Sequence, residues 1–149
     1  VAERLRGMAT EKGLTLAVDA DPDELPVWCD PADLERLAMN LVTNAIQYTA
    51  RGGVKLHVRR HGESMRLQVS DTGIGIPAES LPHLFEEFYR APNAKATGQP
   101  GTGLGMAIVR VLVERYAGHI SVMSEEGTGT TITVDLPADV HRSAPVGAC

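Results

Sequence analysis

Apolar and polar residues alternate in five stretches of the chain, and a period of two predicts strands. In the first stretch, Leu14, Leu16 and Val18 fall on one side. The other four stretches cover residues 54–60, 65–71, 119–124 and 130–137. Glycine-containing turns join these four into two hairpins. A short apolar run at 27–29 is predicted as a further strand, with Trp28 in the core.

Apolar residues spaced by three and four predict helices over residues 1–12, about 31–49, 79–90 and about 104–116. The second helix has the clearest start, because Asp30 is a favoured N-cap residue and Pro31 suits the first helical position. Residues 91–103 have little apolar content and are predicted to be a long loop.

These elements predict an α+β fold, with an antiparallel sheet of hairpins and about three helices on one face. The strand–helix alternation of a parallel sheet is missing from the sequence. Residues 1–137 are expected to form one domain, and residues 138–149 are expected to be a disordered tail.

Composition narrows the possible functions. A chain of 149 residues suits one domain, and the formal net charge of −5 argues against nucleic-acid binding. Two cysteines, Cys29 and Cys149, provide neither a disulfide framework nor a metal cluster. No apolar run approaches the roughly 20 residues of a membrane helix, so no membrane contact is expected from this fragment. Since the sequence opens on Val1, we expect it to be a piece of a longer protein.

An amide stripe, defined as Asn40, Asn44 and Gln47, runs along the second predicted helix at spacings of four and three residues. Apolar residues cover most of the rest of that helix, so it is expected to be largely buried. Buried amides need partners, since an unsatisfied polar group costs about 1–3 kcal/mol. Either neighbouring backbone supplies them, or the stripe faces a polar cavity where asparagine oxygens suit Mg²⁺.

Asp71 ends a predicted strand whose residues Met65, Leu67 and Val69 choose the core face, so its carboxylate is expected to point inward. It either caps its own Thr-Gly turn or accepts an N–H from a ligand at the floor of a pocket. In the second case Gly73 and Gly75 would let the backbone lie close to a flat ring.

The sequence GTGLG, residues 101–105, opens the last predicted helix. It fails the Walker A pattern, because Leu104 stands where lysine is required, and it also fails the dinucleotide-binding pattern. Glycine-rich backbone at a helix start still offers free N–H groups and a positive dipole end to a phosphate.

Four segments in order, NLVTNAIQYTA, DTGIGIP, LFEEFYRA and GTGLGMAIV, resemble the N, G1, F and G2 boxes of the catalytic ATP-binding domain of bacterial sensor histidine kinases, in the GHKL superfamily. The resemblance covers roughly residues 10–137. It implies the Bergerat ATP-binding fold, a two-layer α/β sandwich with a mixed, mostly antiparallel sheet and a mobile lid at residues 91–102. ATP and Mg²⁺ are the implied cofactors, with Asn44 as the metal ligand.

The resemblance also implies the ligand contacts. Asp71 would accept from the adenine amino group beside Gly73 and Gly75, and Asn40 would line the phosphate side. Other implied cofactor-binding residues are Gln47, Tyr48, Arg90, Lys95, Gly101, Thr102, Gly103, Leu104 and Gly105.

Three positions depart from the family pattern or fit it poorly. Gln47 stands where many members carry a lysine or arginine that reaches phosphate, so Lys95 or Arg90 would compensate. Met106 replaces a common leucine, which we expect to be silent. Thr131 sits near a nucleotide-side threonine of relatives, yet Ile132 and its alternate neighbours claim the inward face.

The resemblance implies transfer of the γ-phosphoryl group of Mg-ATP to a histidine on a separate dimerisation domain, in two-component signal transduction. Asn40 occupies the place of the glutamate that activates water in hydrolysing members, and an amide cannot act as a general base. The expected partners are the upstream phospho-acceptor domain and a response regulator. The expected location is the cytoplasmic part of a membrane-anchored sensor. Two alternatives stay open: a serine kinase of the anti-sigma-factor type, and a non-catalytic nucleotide-binding module.

Overall fold

A computed structural model describes residues 2–20 and 29–137 of the chain. Its helices and strands, in chain order, are α1 Ala2–Glu11, β1 Thr15–Ala20, α2 Pro31–Gln47, β2 Gly53–His61, β3 Ser64–Asp71, a 3-10 helix Ala78–His83, α3 Pro92–Ala96, α4 Gly105–Arg115, β4 His119–Glu125 and β5 Gly129–Pro137. The strands form one sheet in the order β1-β2-β3-β5-β4. Only the β1–β2 pair among them is parallel. The predicted mixed, mostly antiparallel sheet is confirmed.

One face of the sheet is apolar and carries the helices, as the period-two alternation predicts. Met65, Leu67 and Val69 of β3 are buried there, as are alternate residues of β2 and β5. They pack against buried residues of α2 and α4, such as Leu41 and Val109. On the opposite face, polar side chains pair between β3 and β5, for example Arg66 with Asp135 and Gln68 with Thr133. The protein therefore has the predicted two-layer architecture, with one layer of helices on one face of the sheet.

The start of α2 follows the sequence prediction. Asp30 takes an extended conformation, its side chain accepts a hydrogen bond from the Ala32 amide at 2.8 Å, and Pro31 begins the helix. Asp33 in the first turn accepts from the Tyr116 hydroxyl and from Arg115 at the end of α4, so the two core helices are joined there. The Tyr116 hydrogen bond, followed by Arg115, lowers the pKa of the Asp33 carboxyl, although burial opposes the shift.

The end of α2 is held by Lys12, the residue that follows α1. Lys12 Nζ donates to the carbonyl oxygens of Ile46 at 2.8 Å and Gln47 at 2.6 Å. Both carbonyls lie in the last turn of the helix, where carbonyl groups lose their regular helical partners; the Ile46 carbonyl also accepts the Thr49 amide at 3.3 Å. A cation is favourable at this negative end of the helix dipole. The backbone of Gln47 is therefore held in place by the helix and by the hydrogen bond from Lys12.

Two predictions about the chain between β3 and α4 are wrong. Residues 79–90 do not form an α-helix: a 3-10 helix ends at His83, turns follow, and Phe88 adopts a positive φ of 65°. Pro82 explains much of this, because proline lacks the N–H that a regular helix needs. The predicted loop at 91–103 contains the five-residue helix α3.

Other predictions lie largely outside the described residues. They include the strand at 27–29, apart from Cys29, which lies in a bend, and the burial of Trp28. The domain end at residue 137 and the state of the tail stay predictions. Within residues 2–20 and 29–137, no helix combines the length and the apolar character needed to cross a membrane.

Candidate functional site

A cavity of about 470 Å³ opens between α2, the loop after β3 and the segment that leads into α4. Its volume lies within the range of about 300–1,000 Å³ that is usual for small-molecule pockets. It brings together twelve of the fourteen residues predicted for the site: Asn40, Asn44, Gln47, Tyr48, Asp71, Gly75, Arg90, Gly101, Thr102, Gly103, Leu104 and Gly105. Gly73 and Lys95 are not in its lining.

All three members of the amide stripe line this cavity, but they differ in their partners. Asn40 Nδ2 donates to the Arg36 carbonyl at 2.9 Å, and Gln47 Nε2 donates to the Pro100 carbonyl. In the part of the chain that the structure describes, the Asn44 side chain has no hydrogen-bond partner. Both interpretations of the stripe are thus partly realised: backbone carbonyls accept from the NH₂ groups of Asn40 and Gln47, and Asn44 keeps its oxygen and nitrogen available to the cavity.

Asp71 points inward at the floor of the cavity, as its position in β3 predicts. Its Oδ1 accepts the Gly73 amide at 2.9 Å and the Thr130 amide at 3.2 Å. Burial raises the pKa of the Asp71 carboxyl, and these two backbone N–H groups offset only part of that effect. Both described hydrogen bonds end at Oδ1, so Oδ2 retains its capacity to accept from a ligand.

Gly73 and Gly75 are required by packing around the Asp71 loop. Gly73 is buried against the residues that end α2, and a side chain is excluded there because a Cβ would lie 2.4 Å from the Tyr48 carbonyl oxygen. Gly75 has a φ of +71°, and a Cβ there would lie 2.1 Å from the Glu125 carbonyl oxygen. The loop is therefore seated between the end of α2 and the β4–β5 turn.

The opposite end of the cavity is formed by the start of α4. Gly105 begins this helix, and Leu104 before it offers no side-chain cap. The first backbone N–H groups of a helix have no intrahelical acceptors, and the dipole is positive there. Gly105 lies next to the amide stripe, since a Cβ built on it would be in van der Waals contact with Asn40 Oδ1 at 3.5 Å. This end of the cavity is suited to an anion.

Arg90 supplies positive charge near the same end. Its Nη2 donates to the Tyr48 hydroxyl at 3.2 Å and to the Gln99 carbonyl at 2.6 Å, whereas its Nε is buried and has no partner among the described residues. Lys95, by contrast, is exposed on α3 and outside the cavity lining. Arg90 is thus the better placed of the two cations that the sequence offered to compensate for Gln47.

Sequence analysis missed four polar residues of the cavity, Thr43, Tyr89, Asn93 and Thr130. Thr130 is buried and lines it, whereas Thr131 lies on the opposite sheet face and pairs with Ser70, so the position suggested by the resemblance is corrected by one residue. The alternation of side chains along β5 could have identified Thr130, since Thr130 lies on the same face of the strand as Ile132. Asn93 also lines the cavity, and nothing in its low-apolar segment distinguished it.

The two phenylalanines of the F-like segment have different surroundings. Phe85 is partly buried and packs against the core. Phe88 is 69% exposed. Neither ring lines the cavity.

The sequence matches a known protein family and is similar to sensor histidine kinases. The family model described as histidine kinase-, DNA gyrase B- and HSP90-like ATPase matches residues 29–140. Sensor histidine kinase RppB of Synechocystis sp. is 36% identical over 138 residues, which is 92% of this chain and 30% of RppB. The chain thus spans less than a third of that relative.

The fold is similar to those of solved histidine kinase structures. The crystal structure of full-length ShkA in complex with AMPPNP matches with a TM-score of 0.79 and 30% identity, over 91% of this chain and 28% of ShkA. The structure of the mycobacterial sensor histidine kinase MprB matches with a TM-score of 0.78 and 29% identity. That match covers 91% of this chain and 90% of the MprB chain.

Proposed function

This chain belongs to the family of histidine kinase-, DNA gyrase B- and HSP90-like ATPases, and we propose that its cavity binds Mg-ATP for transfer of the γ-phosphoryl group to a protein histidine. The observation that carries the proposal is the polarity of the cavity. A half-buried carboxylate, Asp71, stands at its floor, and Arg90 and the start of α4 form the end that is suited to an anion. The AMPPNP bound by ShkA is an ATP analogue, which supports the same ligand class here.

The chemistry of the lining fits a nucleotide. Asp71 can accept a hydrogen bond from a base amino group, and the uncapped amides at Gly105 and its neighbours can donate to phosphate oxygens. The buried, unpartnered Arg90 Nε provides a further donor for an anion. Tyr48 and Gln47 lie near Gly101, between these two ends. The proposed contacts to phosphate thus come from backbone and Arg90, without a lysine of the Walker type.

Asn44 is the residue we propose for the metal. No three His, Cys, Asp or Glu side chains in the described ranges gather where they could hold an ion. A magnesium ion that keeps its waters and shares phosphate oxygens needs only one or two protein ligands, and an amide oxygen is suitable. When bound, such an ion neutralises charge on the phosphates during transfer.

We expect Asn44→Ala to weaken binding of Mg-ATP more than binding of metal-free ATP. The substitution removes the amide oxygen proposed for the ion and leaves the base contact at Asp71 intact. Calorimetric titration with ATP, with magnesium and with a chelator, separates the two. Asn40→Ala is the matched control on the same helix, because Asn40 already donates to the Arg36 carbonyl. Equal losses for both ligand forms in Asn44→Ala would show that this residue does not hold the metal.

The lining favours transfer over hydrolysis. Asn40 lies in the cavity where a water-activating glutamate would be needed, and an amide cannot accept that proton. Phosphoryl transfer depends mainly on positioning and charge neutralisation, so it tolerates the missing base. None of the histidines in residues 2–20 and 29–137 lines the cavity, which supports an acceptor on another domain.

Labelled transfer tests this function. The chain, together with a helical dimerisation domain that carries the acceptor histidine, is incubated with γ-labelled Mg-ATP. We expect label on the dimerisation domain that is lost in acid, as phosphohistidine is. An acid-stable label on serine would instead support a kinase of the anti-sigma-factor type. Nucleotide binding without labelled protein would support a regulatory module.

We place this domain, residues 1–137, next to such a dimerisation domain in the cytoplasm, with a response regulator as the final phosphoryl acceptor. The sensor histidine kinases to which the chain is similar are several times longer than the matched part, and they support this setting.

A further inference from the structure

Two side-chain atoms in the described part of the chain are buried without a hydrogen-bond partner, Arg90 Nε and Asn93 Oδ1. Both residues line the same cavity. A buried polar atom left unsatisfied costs about 1–3 kcal/mol, so such atoms call for an explanation, and a missing ligand is one. One atom is a cationic donor and the other a neutral acceptor, so the cavity offers complementary groups to two different parts of a ligand.

The orientation of the Asn93 amide is determined by its neighbour. Its Nδ2 donates to the Gly75 carbonyl oxygen at 3.0 Å. Exchanging the amide nitrogen and oxygen would place two acceptors 3.0 Å apart with no proton between them. The unpartnered atom is therefore the oxygen, and a ligand must bring a donor to satisfy it.

ATP carries few donors. Its phosphate oxygens only accept, so an acceptor in the cavity can meet either the base amino group or a ribose hydroxyl. Asn93 is tied to Gly75, in the loop that directly follows Asp71, whereas Arg90 holds Tyr48 and Gln99. The contact to Gly75 places Asn93 beside the loop after Asp71, where we propose that the base binds. This position favours the base amino group over a ribose hydroxyl as the donor to Asn93.

We propose that Asn93 is a specificity-determining residue that accepts the second hydrogen of the base amino group, beside Asp71. The inference rests on the proposed function, in which Asp71 accepts the first hydrogen. A base with an amino group satisfies both oxygens. A base with an oxo group at that position presents an acceptor to two acceptors, so the pair selects adenine over guanine.

The test compares ATP with purine riboside triphosphate, which lacks the amino group, by calorimetric titration of the wild-type chain and of Asn93→Ala. We expect Asn93→Ala to weaken ATP binding by about 3- to 10-fold more than binding of the analogue, the effect of one hydrogen bond. The lost contact to Gly75 affects both ligands equally and cancels in the ratio. An unchanged ratio would overturn the proposal.

Two further arms identify the ligand group and the cause. If the extra loss in Asn93→Ala disappears with 2′- or 3′-deoxy-ATP and not with purine riboside triphosphate, the partner is a ribose hydroxyl and the proposal is wrong. Asn40→Ala, at the phosphate end, is expected to leave the ratio unchanged. Wild-type protein that binds none of these nucleotides overturns the proposed function as well, whereas Asp71-dependent ATP binding with an unchanged Asn93 ratio overturns this inference alone.

Discussion

Asp71→Asn is expected to reduce ATP affinity by roughly 10- to 150-fold, the value of a charge-assisted hydrogen bond of about 1.5–3 kcal/mol. The Asn carbonyl can still accept the Gly73 and Thr130 amides that Oδ1 accepts now, so the loop keeps its supports. Its NH₂ group then takes the place of Oδ2 and opposes the amino group of the base. Calorimetric titration with ATP measures the loss.

The same variant is expected to keep or gain stability without ligand. Burial raises the pKa of the Asp71 carboxyl above that of the unfolded chain, near 3.9. The native state therefore binds the proton more tightly, and stability that is present below pH 4 is lost as the pH rises through the folded pKa. Asparagine does not ionise, so Asp71→Asn removes this loss. Urea unfolding of both proteins at pH 4 and pH 7 measures their free energies of unfolding. The stability of Asp71→Asn relative to the wild type should increase from pH 4 to pH 7.

A matched control separates the site from a general effect of charge. Asp19→Asn removes a carboxylate on β1 whose side chain is 70% exposed and which lies outside the cavity. Its ATP affinity should equal that of the wild type. If folded Asp71→Asn protein binds ATP as tightly as the control does, Asp71 is not the acceptor for the base.

Much of the fold follows from local sequence rules. Alternation in β3 placed Met65, Leu67 and Val69 in the core and directed Asp71 inward, and the structure agrees because a strand has only two faces. Asp30 and Pro31 marked the start of α2 correctly, since capping depends on neighbouring residues alone. The predicted helix at 79–90 failed because apolar spacing was given more weight than Pro82.

The candidate site was predicted less completely, because its details depend on contacts between distant segments. The reason for Gly75 is the Glu125 carbonyl, 50 residues later in the chain, which no local pattern reveals. The role that we propose for Asn93 depends on its contact with Gly75, 18 residues earlier in the chain. The four family-like segments located the cavity, but the resemblance suggested Thr131, whereas the alternation of side chains along β5 directs Thr130 into the cavity.

The loop after Asp71 is docked on the β4–β5 turn by several contacts. The Ile76 amide donates to Ser124 Oγ at 2.8 Å, and the Gly127 amide donates to the Ile74 carbonyl at 2.7 Å. Gly75 lies between these two hydrogen bonds, against Glu125. The Asp71 end of the cavity, where we propose that the base binds, therefore depends on a backbone contact that tolerates no side chain.

Gly75→Ala is expected to destabilise the protein by about 3 kcal/mol or more and to weaken ATP binding, because strain and a steric clash combine. A left-handed φ costs a residue with a Cβ about 1–2 kcal/mol, and the new methyl group would lie 2.1 Å from the Glu125 carbonyl oxygen. Either that contact breaks, or the loop moves away from its place beside Asp71. Urea unfolding and ATP titration of the same protein measure the two effects.

Gly98→Ala is the matched control for this prediction. Gly98 has a φ of +72°, nearly the +71° of Gly75, but a Cβ there would meet no atom within 4 Å. The control therefore carries the cost of the backbone conformation without the clash, and its free energy of unfolding should fall by only about 1–2 kcal/mol. The difference between the two variants isolates the contact with Glu125. Equal destabilisation would mean that this contact is easily broken, and that the β4–β5 turn does not determine where the loop after Asp71 lies.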